Sequence, residues 1–241
     1  MTEKLKWATD LRNRIESPDY KQEIYVISVP RSGNTITRYI LEHLTRYESY
    51  GYAGSGNRNA IDNRCIAANV PTRDKSGIIF KRHAWSHQRR FSTDKESQDV
   101  VCITVIRNPL DIKLRSMKIT PNTWETYTDV VTGALKNNKP GKIVFYESLM
   151  SDPERYVREL AQIVRCSQER LDEFLEDIDS HLSGPKKAPE QLTPNQLEPN
   201  VRNLPEDERI NSWNKLMCLF PDQVQEFFNY HYPNGRWVSR E

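Results

Sequence analysis

The sequence predicts a single α/β domain spanning residues 1–241, with a mostly parallel central sheet flanked by helices. Two observations lead there. Short apolar runs rich in β-branched and aromatic residues, at 24–29, 77–80, 100–106 and 142–146, alternate with stretches of helical periodicity, which is the pattern of βα units on a parallel sheet. The 241 residues also suffice for one sizeable core.

In chain order, residues 4–16 form a weak helix with Trp7, Ala8, Leu11 and Ile15 on one face and Leu5 at its edge. The run Ile24-Tyr25-Val26-Ile27-Ser28-Val29 reads as a buried strand. Behind Pro30-Arg31-Ser32-Gly33-Asn34-Thr35, the residues Ile36, Tyr39, Ile40, His43, Leu44 and Tyr47 recur at helical spacing, so a helix follows to about residue 47. His43 on that apolar face reads as a core residue. Residues 50–60, with Gly51, Gly54, Ser55, Gly56 and Asn57, read as a loop able to contribute to a substrate pocket, and 61–70 as a short helix.

Residues 77–83 read as a second strand. Side chains alternate along it, so Lys81 and His83 share one face and Arg82 points away. Residues 100–106 form a third strand that ends in Arg107-Asn108-Pro109-Leu110-Asp111. Pro109 suits a first helical position, Asn108 can cap and Asp111 favours a helix N-terminus. Leu110, Leu114 and Met117 continue that helix's apolar face. A helix over 124–135 and a fourth strand over 142–146 follow. Asp152-Pro153 then starts a helix that turns Val157, Leu160, Ala161 and Val164 inward. Residues 171–178 are helical. Residues 184–206 carry Pro185, Pro189, Pro194, Pro199 and Pro205 and read as a long loop near the active site. Helices over 212–219 and 221–230 close the chain.

Composition bounds the function. Thirty-five Lys and Arg against 33 Asp and Glu give a net charge of +2, so no nucleic-acid partner is expected. Cys65, Cys102, Cys166 and Cys218 are scattered without a Cys-x-x-Cys pair. That argues against a zinc site or a disulfide framework and fits a reducing compartment. The first 20 residues hold no signal-like apolar run, and no stretch reaches the ~18 apolar residues of a membrane span. A soluble, cytoplasmic protein without membrane partners is expected, or a domain cut from something larger.

The strand, short polar loop and helix start at 24–36 make an anion site. Unpaired N–H groups and the partial positive charge of a helix N-terminus favour phosphate or sulfate, and Arg31 adds a planar fork of donors. The loop is not the Gly-x-x-x-x-Gly-Lys-Ser/Thr type: only Gly33 is present, and Asn34 stands where Lys would be. Arg107 sits at a strand–helix junction, where open α/β sheets bind ligands. An ordinary capped strand–turn–helix is the alternative reading of the first loop, and a solvated strand edge that of Lys81 and His83.

Together these pieces resemble the sulfotransferases that use 3′-phosphoadenosine-5′-phosphosulfate (PAPS). The stretch from Tyr25 to Thr35 is similar to the family's 5′-phosphosulfate loop, and Arg107-Asn108-Pro109-Leu110-Asp111 to the start of its 3′-phosphate motif. Lys81-x-His83 stands where cytosolic members carry a Lys-x-His pair. Phe145-Tyr146-Glu147-Ser148-Leu149 with Asp152-Pro153 is similar to their Tyr-Glu-Asp-Leu…Asp-Pro element. Order and approximate spacing agree from residue 24 to about 165, and the C-terminal third matches loosely.

The resemblance implies the P-loop-NTPase-like sulfotransferase fold, PAPS as donor with adenosine 3′,5′-bisphosphate as product, no metal, and a small-molecule hydroxyl or amine as acceptor. Arg31, Ser32, Gly33, Asn34 and Thr35 would hold the 5′-phosphosulfate, and Arg107 the 3′-phosphate. His83 would be the general base and Lys81 would stabilise the transferring group, with Arg31 counted among the catalytic charges. Sulfuryl transfer is an in-line displacement, so catalysis is mostly positioning and electrostatics.

Three departures stand out. Eight residues after Arg107, where the family carries Ser, this chain has Arg115, with Ser116 next; one helical residue is a rotation of ~100°, so either, not both alike, replaces that Ser. Ile36 stands where cytosolic members often place a Trp against adenine. No Arg-Lys-Gly segment closes the chain, and Arg202 or Arg209 is the substitute, with Lys186-Lys187 as a further option. These departures keep a second reading open, a nucleotide-binding or interaction protein of the same fold without catalysis. An ATP-dependent P-loop kinase is a third, opposed by the missing Gly-Lys-Ser/Thr.

Overall fold

The computed structural model describes residues 21–52, 61–62, 67, 70, 72–83, 99–115, 121–137, 142–183, 201 and 204–239. Strand β1 (Gln22–Ser28) leads through the polar loop into helix α1 (Asn34–Thr45). Strands β2 (Glu48–Tyr52), β3 (Ile61–Asp62), β4 (Gly77–Arg82) and β5 (Asp99–Ile106) follow, then α2 (Pro109–Arg115), α3 (Pro121–Asn137) and β6 (Ile143–Phe145). The remaining helices are α4 (Tyr146–Ser151), α5 (Pro153–Val164), α6 (Gln168–Leu175), α7 (Ile178–Ser183), α8 (Glu206–Met217) and α9 (Asp222–His231), with a 3₁₀ turn over Pro233–Gly235.

The strand order is β3-β2-β4-β1-β5-β6. Every pairing is parallel except that of the short β3 with β2. β1 is central, between β4 and β5, and its core residues Ile24 to Ile27 are fully buried, as a strand covered on both faces must be. This is the α/β class with a mostly parallel, helix-flanked sheet that the sequence predicts.

Two apolar layers sandwich the sheet. On one face Ile24, Val26, Ile79 and Ile103 meet α1, α5 and α6 through Ile40, Leu44, Tyr156, Leu160 and Phe174. On the other Tyr25, Ile27, Phe80 and Ile106 meet α2, α3, α8 and α9 through Leu110, Tyr127, Trp213 and Phe228. Each large apolar side chain so buried contributes about 1.5–3 kcal/mol. Helix α5 has the start its sequence announces: the Asp152 carboxylate accepts from the Arg155 N–H at 3.0 Å, and Pro153 opens the helix. Among the described residues, no helix is long and apolar enough to cross a membrane.

The structure revises several expected elements. The loop expected from residue 50 is strand as far as Tyr52, because Glu48, Ser49 and Tyr50 pair with Ile78, Ile79 and Phe80; residues 53–60 lie outside the described set. The helix expected over 61–70 is instead, where described, the strand β3 and an isolated bridge at Ala67. Side chains satisfy that bridge residue's backbone: its N–H donates to Glu42 Oε2 at 3.0 Å, and Arg73 donates to its carbonyl. The strand expected through Tyr146 ends at Phe145, and Tyr146 opens the unanticipated helix α4. The helix expected over 171–178 runs from Gln168 to Leu175 and breaks before α7. The helix expected over 4–16, Met117 and most of 184–206 fall outside the described residues.

Candidate functional site

The β1–α1 loop crosses the carboxyl end of the central strand. Arg31 and Gly33 both hold left-handed backbone, with φ of 71° and 88°. For Arg31 that conformation costs roughly 1–2 kcal/mol, and alternating left-handed residues are how a turn builds an anion-binding concavity. Gly33 is the N-cap of α1, and no side chain caps that helix, which leaves its first-turn N–H groups for a ligand. Glycine is required at 33 on a second count: a Cβ there would stand 2.5 Å from Cδ2 of Tyr146.

The loop's side chains divide by direction. Arg31 is exposed and Thr35 half-buried. Ser32 is fully buried beside the Tyr127 hydroxyl, whose pKa burial and the Glu147 carboxylate raise and the Ser32 side chain lowers. Asn34 turns back into the fold, donating through Nδ2 to the Val26 carbonyl at 3.0 Å and to Ser28 Oγ at 2.9 Å. Asn34 therefore clamps α1 to β1, and what it offers the mouth of the loop is its backbone N–H.

Arg107, at the end of β5, braces this loop from beneath. Its Nε donates to Asp111 Oδ2 at 2.7 Å, its Nη2 is ion-paired with the same oxygen at 2.5 Å, and its Nη1 donates to the Arg31 carbonyl at 2.8 Å. Its face lies on the Tyr146 ring, 4.0 Å from the ring centre. A guanidinium has five N–H groups, so one further N–H on each terminal nitrogen remains after these contacts. Tyr127 donates its hydroxyl to the Arg107 carbonyl. Asn108 accepts from the Leu110 N–H at 2.9 Å, the cap expected of it, and donates to the Gly235 carbonyl at 2.7 Å.

On the other side of β1, β4 carries Lys81, and His83 follows directly after its last residue. His83 Nδ1 lies 2.9 Å from the Ser28 carbonyl oxygen. A carbonyl only accepts, so Nδ1 carries a proton, and in the neutral ring Nε2 holds the lone pair. Burial, and then the charge of Arg38 on α1, push the Lys81 ammonium below its ordinary value. Arg38 itself donates through Nε and Nη2 to Ser49 Oγ at 3.2 and 2.6 Å, and Ser49 donates on to the fully buried Glu42. Arg82 faces the opposite side, its guanidinium carbon 5.7 Å from the centres of the Tyr25 and Phe80 rings.

The structure thus brings the 31–35 loop, His83 and Arg107 to the carboxyl end of β1. Among the described residues, Arg209 bonds elsewhere: it is 3% exposed and donates to the Asn234 carbonyl at 3.0 Å and to Glu206 at 3.2 Å. The side chain of Arg115, and Ser116 and Arg202, fall outside the described residues. Among the described residues no group of three or more His, Cys, Asp or Glu side chains could hold a metal ion.

Sequence reasoning gave no loop-supporting role to Tyr146, Glu147, Tyr127 or Tyr232. Glu147 accepts from the Asn108 N–H at 2.8 Å through Oε1 and from the Tyr232 hydroxyl at 2.9 Å through Oε2. The adjacency Tyr146-Glu147 was visible as part of a motif, but its packing under Arg107 was not. The i, i+4 spacing of Arg107 and Asp111 could have shown their ion pair.

No protein-family model matches this chain, and no curated protein matches it. Among solved structures it is similar to mouse sulfotransferase SULT7A1 complexed with PAP, at 12% identity and a TM-score of 0.49 over 95% of this chain and 94% of that one. It is also similar to retinol dehydratase in a complex with retinol and PAP, at 14% identity and a TM-score of 0.39 over 72% of this chain and 68% of that one.

Proposed function

We propose that this chain is a sulfotransferase that moves the sulfuryl group of PAPS to a hydroxyl or amine of a small-molecule acceptor. The observation that carries the reading is the His83–Ser28 contact of 2.9 Å. It holds the ring beside the end of β1 with Nδ1 as donor, which supports the reading of Nε2 as a general base. A strand-end lysine and a loop of uncapped helix amides support the same reading.

In this mechanism Arg31 and the amides of residues 33–35 hold the phosphosulfate end of the donor. The two remaining N–H groups of Arg107 take its 3′-phosphate. His83 Nε2 removes the acceptor's proton as the new S–O or S–N bond forms, and the bond from sulfur to the phosphate oxygen breaks in line with it. Lys81 and Arg31 neutralise the charge that gathers on the leaving phosphate. Asn34 contributes through its backbone N–H, because its side chain is committed inward, while Ser32 is buried with its own N–H on the Val29 carbonyl at 3.3 Å and shapes the loop.

The test is turnover. Protein incubated with PAPS and a panel of phenols, alcohols and amines is expected to release adenosine 3′,5′-bisphosphate with matching sulfated product. Nucleotide binding without product across that panel would instead favour a binding protein of the same fold, and neither binding nor product would overturn the reading.

A further inference from the structure

The carboxyl group of Glu147 lies under the Arg107 turn, which it meets through the backbone of Asn108, whereas Asp111 pairs with the Arg107 side chain. It accepts from the Asn108 N–H at 2.8 Å, one residue from Arg107, and from Tyr232 on α9 at 2.9 Å. The groups that face it from the surrounding elements are the Arg107 guanidinium, Tyr127 on α3, Tyr156 on α5 and Tyr232, with Tyr146 on its own helix. Among these groups Arg107 is the only cation, and Asp111 already offsets part of its charge. Burial pushes the phenols of Tyr127, Tyr156 and Tyr232 well above their ordinary range and keeps them neutral.

We propose that Glu147 is a positioning residue that takes up a proton when a nucleotide's phosphate reaches Arg107, so that binding at this site is coupled to protonation beneath it. The proposal rests on the nucleotide site assigned above. Its logic is electrostatic. A phosphate on the remaining N–H groups of Arg107 offsets the positive charge that, among the described groups facing it, favours ionised Glu147. The protonated acid suits the same cage: one oxygen still accepts from Asn108, and the O–H can donate to the Tyr232 oxygen. Burial pushes this carboxyl up to about 7, while the bonds from Asn108 and Tyr232 and the charge of Arg107 pull it down. A modest change in charge above it therefore moves a proton at neutral pH.

The experiment is calorimetric titration of the full chain with adenosine 3′,5′-bisphosphate, in buffers of different ionisation enthalpy, from pH 7 to 8.5. That window lies above the ligand's own phosphate titration near 6. Wild type is expected to take up a fraction of a proton and to lose affinity with rising pH, by up to about tenfold per unit. Glu147→Gln, which copies the protonated acid, is expected to bind as wild type does at the acid end, with that uptake and slope removed. Tyr232→Phe removes a bond that favours the ionised form and is expected to move the slope to higher pH. Equal uptake and slope in wild type and Glu147→Gln, or an unmoved slope in Tyr232→Phe, overturns the coupling while leaving the nucleotide site intact. Absence of binding in wild type overturns the site and the coupling together.

Discussion

The guanidinium of Arg107 lies 4.0 Å from the centre of the Tyr146 ring, and the same ring lies against Gly33, so one aromatic plate joins the β5–α2 turn to the β1–α1 loop. The two segments that carry the expected phosphate ligands are therefore one packed unit. A buried cation on an aromatic face is worth up to about 2 kcal/mol, and the Arg107 bond to the Arg31 carbonyl closes the same unit from the other side.

Gly33→Ala tests that unit. The substitution places a Cβ 2.5 Å from Tyr146 at a φ of 88°. The left-handed backbone alone costs about 1–2 kcal/mol, and displacing Tyr146 adds to it. A lowered unfolding temperature and loss of bisphosphate binding are expected. Wild-type values for both would show that the loop tolerates the displacement.

Arg107→Ala leaves Asp111 buried without its cation, a loss of about 3–5 kcal/mol. The double variant with Asp111→Ala is expected to be more stable than Arg107→Ala alone, as read by urea unfolding. Arg107→Ala is also expected to weaken binding of 3′-phosphorylated nucleotides more than of those lacking that phosphate. Equal losses for both ligands would remove Arg107 from the 3′-phosphate site.

His83→Ala is expected to lower the transfer rate by about 10²–10⁴-fold while bisphosphate still binds. Full activity in this variant would assign the base elsewhere.

Glu147 gives stability a pH dependence of defined sign. Its carboxyl is raised from an ordinary 4.5 to about 7 in the folded chain, chiefly by burial. The folded state then holds more protons than the unfolded one between those values. Its contribution is complete below about 4.5 and is lost as pH rises through about 7, at most about 3 kcal/mol in all. Thermal unfolding of wild type against Glu147→Gln should diverge over that window, with wild type falling as pH rises. Parallel curves would place the titration outside it.

Much of this fold was legible because its strands are uninterrupted apolar runs and its main helices carry clear starts, as Asp152-Pro153 and Pro109 do. Local composition misled where tertiary contacts decided. Gly51 suggested a loop, yet β2 had an open edge of β4 to pair with. Residues 61–70 suggested a helix, yet Glu42 and Arg73 take the backbone of Ala67. The loop, His83 and Arg107 were readable as a set because polar residues at strand ends gather at one edge of a parallel sheet. Side-chain direction was not readable. Nothing in the local pattern says that Asn34 turns inward to Val26 and Ser28, or that Arg209 is spent on Asn234 and Glu206. The platform of Tyr127, Glu147 and Tyr232 is assembled from three distant segments, so it exists only once the chain is folded.

The most direct measurement is a thermal-shift titration with adenosine 3′,5′-bisphosphate, run beside ADP and beside ATP with Mg²⁺. A ligand that binds only the folded state stabilises it by about 2.7 kcal/mol at a hundredfold excess over its Kd. Selective stabilisation by the bisphosphate is the result predicted for two anion sites built on the 31–35 loop and Arg107. Stabilisation by ATP with Mg²⁺ and not by the bisphosphate would contradict that account and the roles proposed for Arg107 and His83.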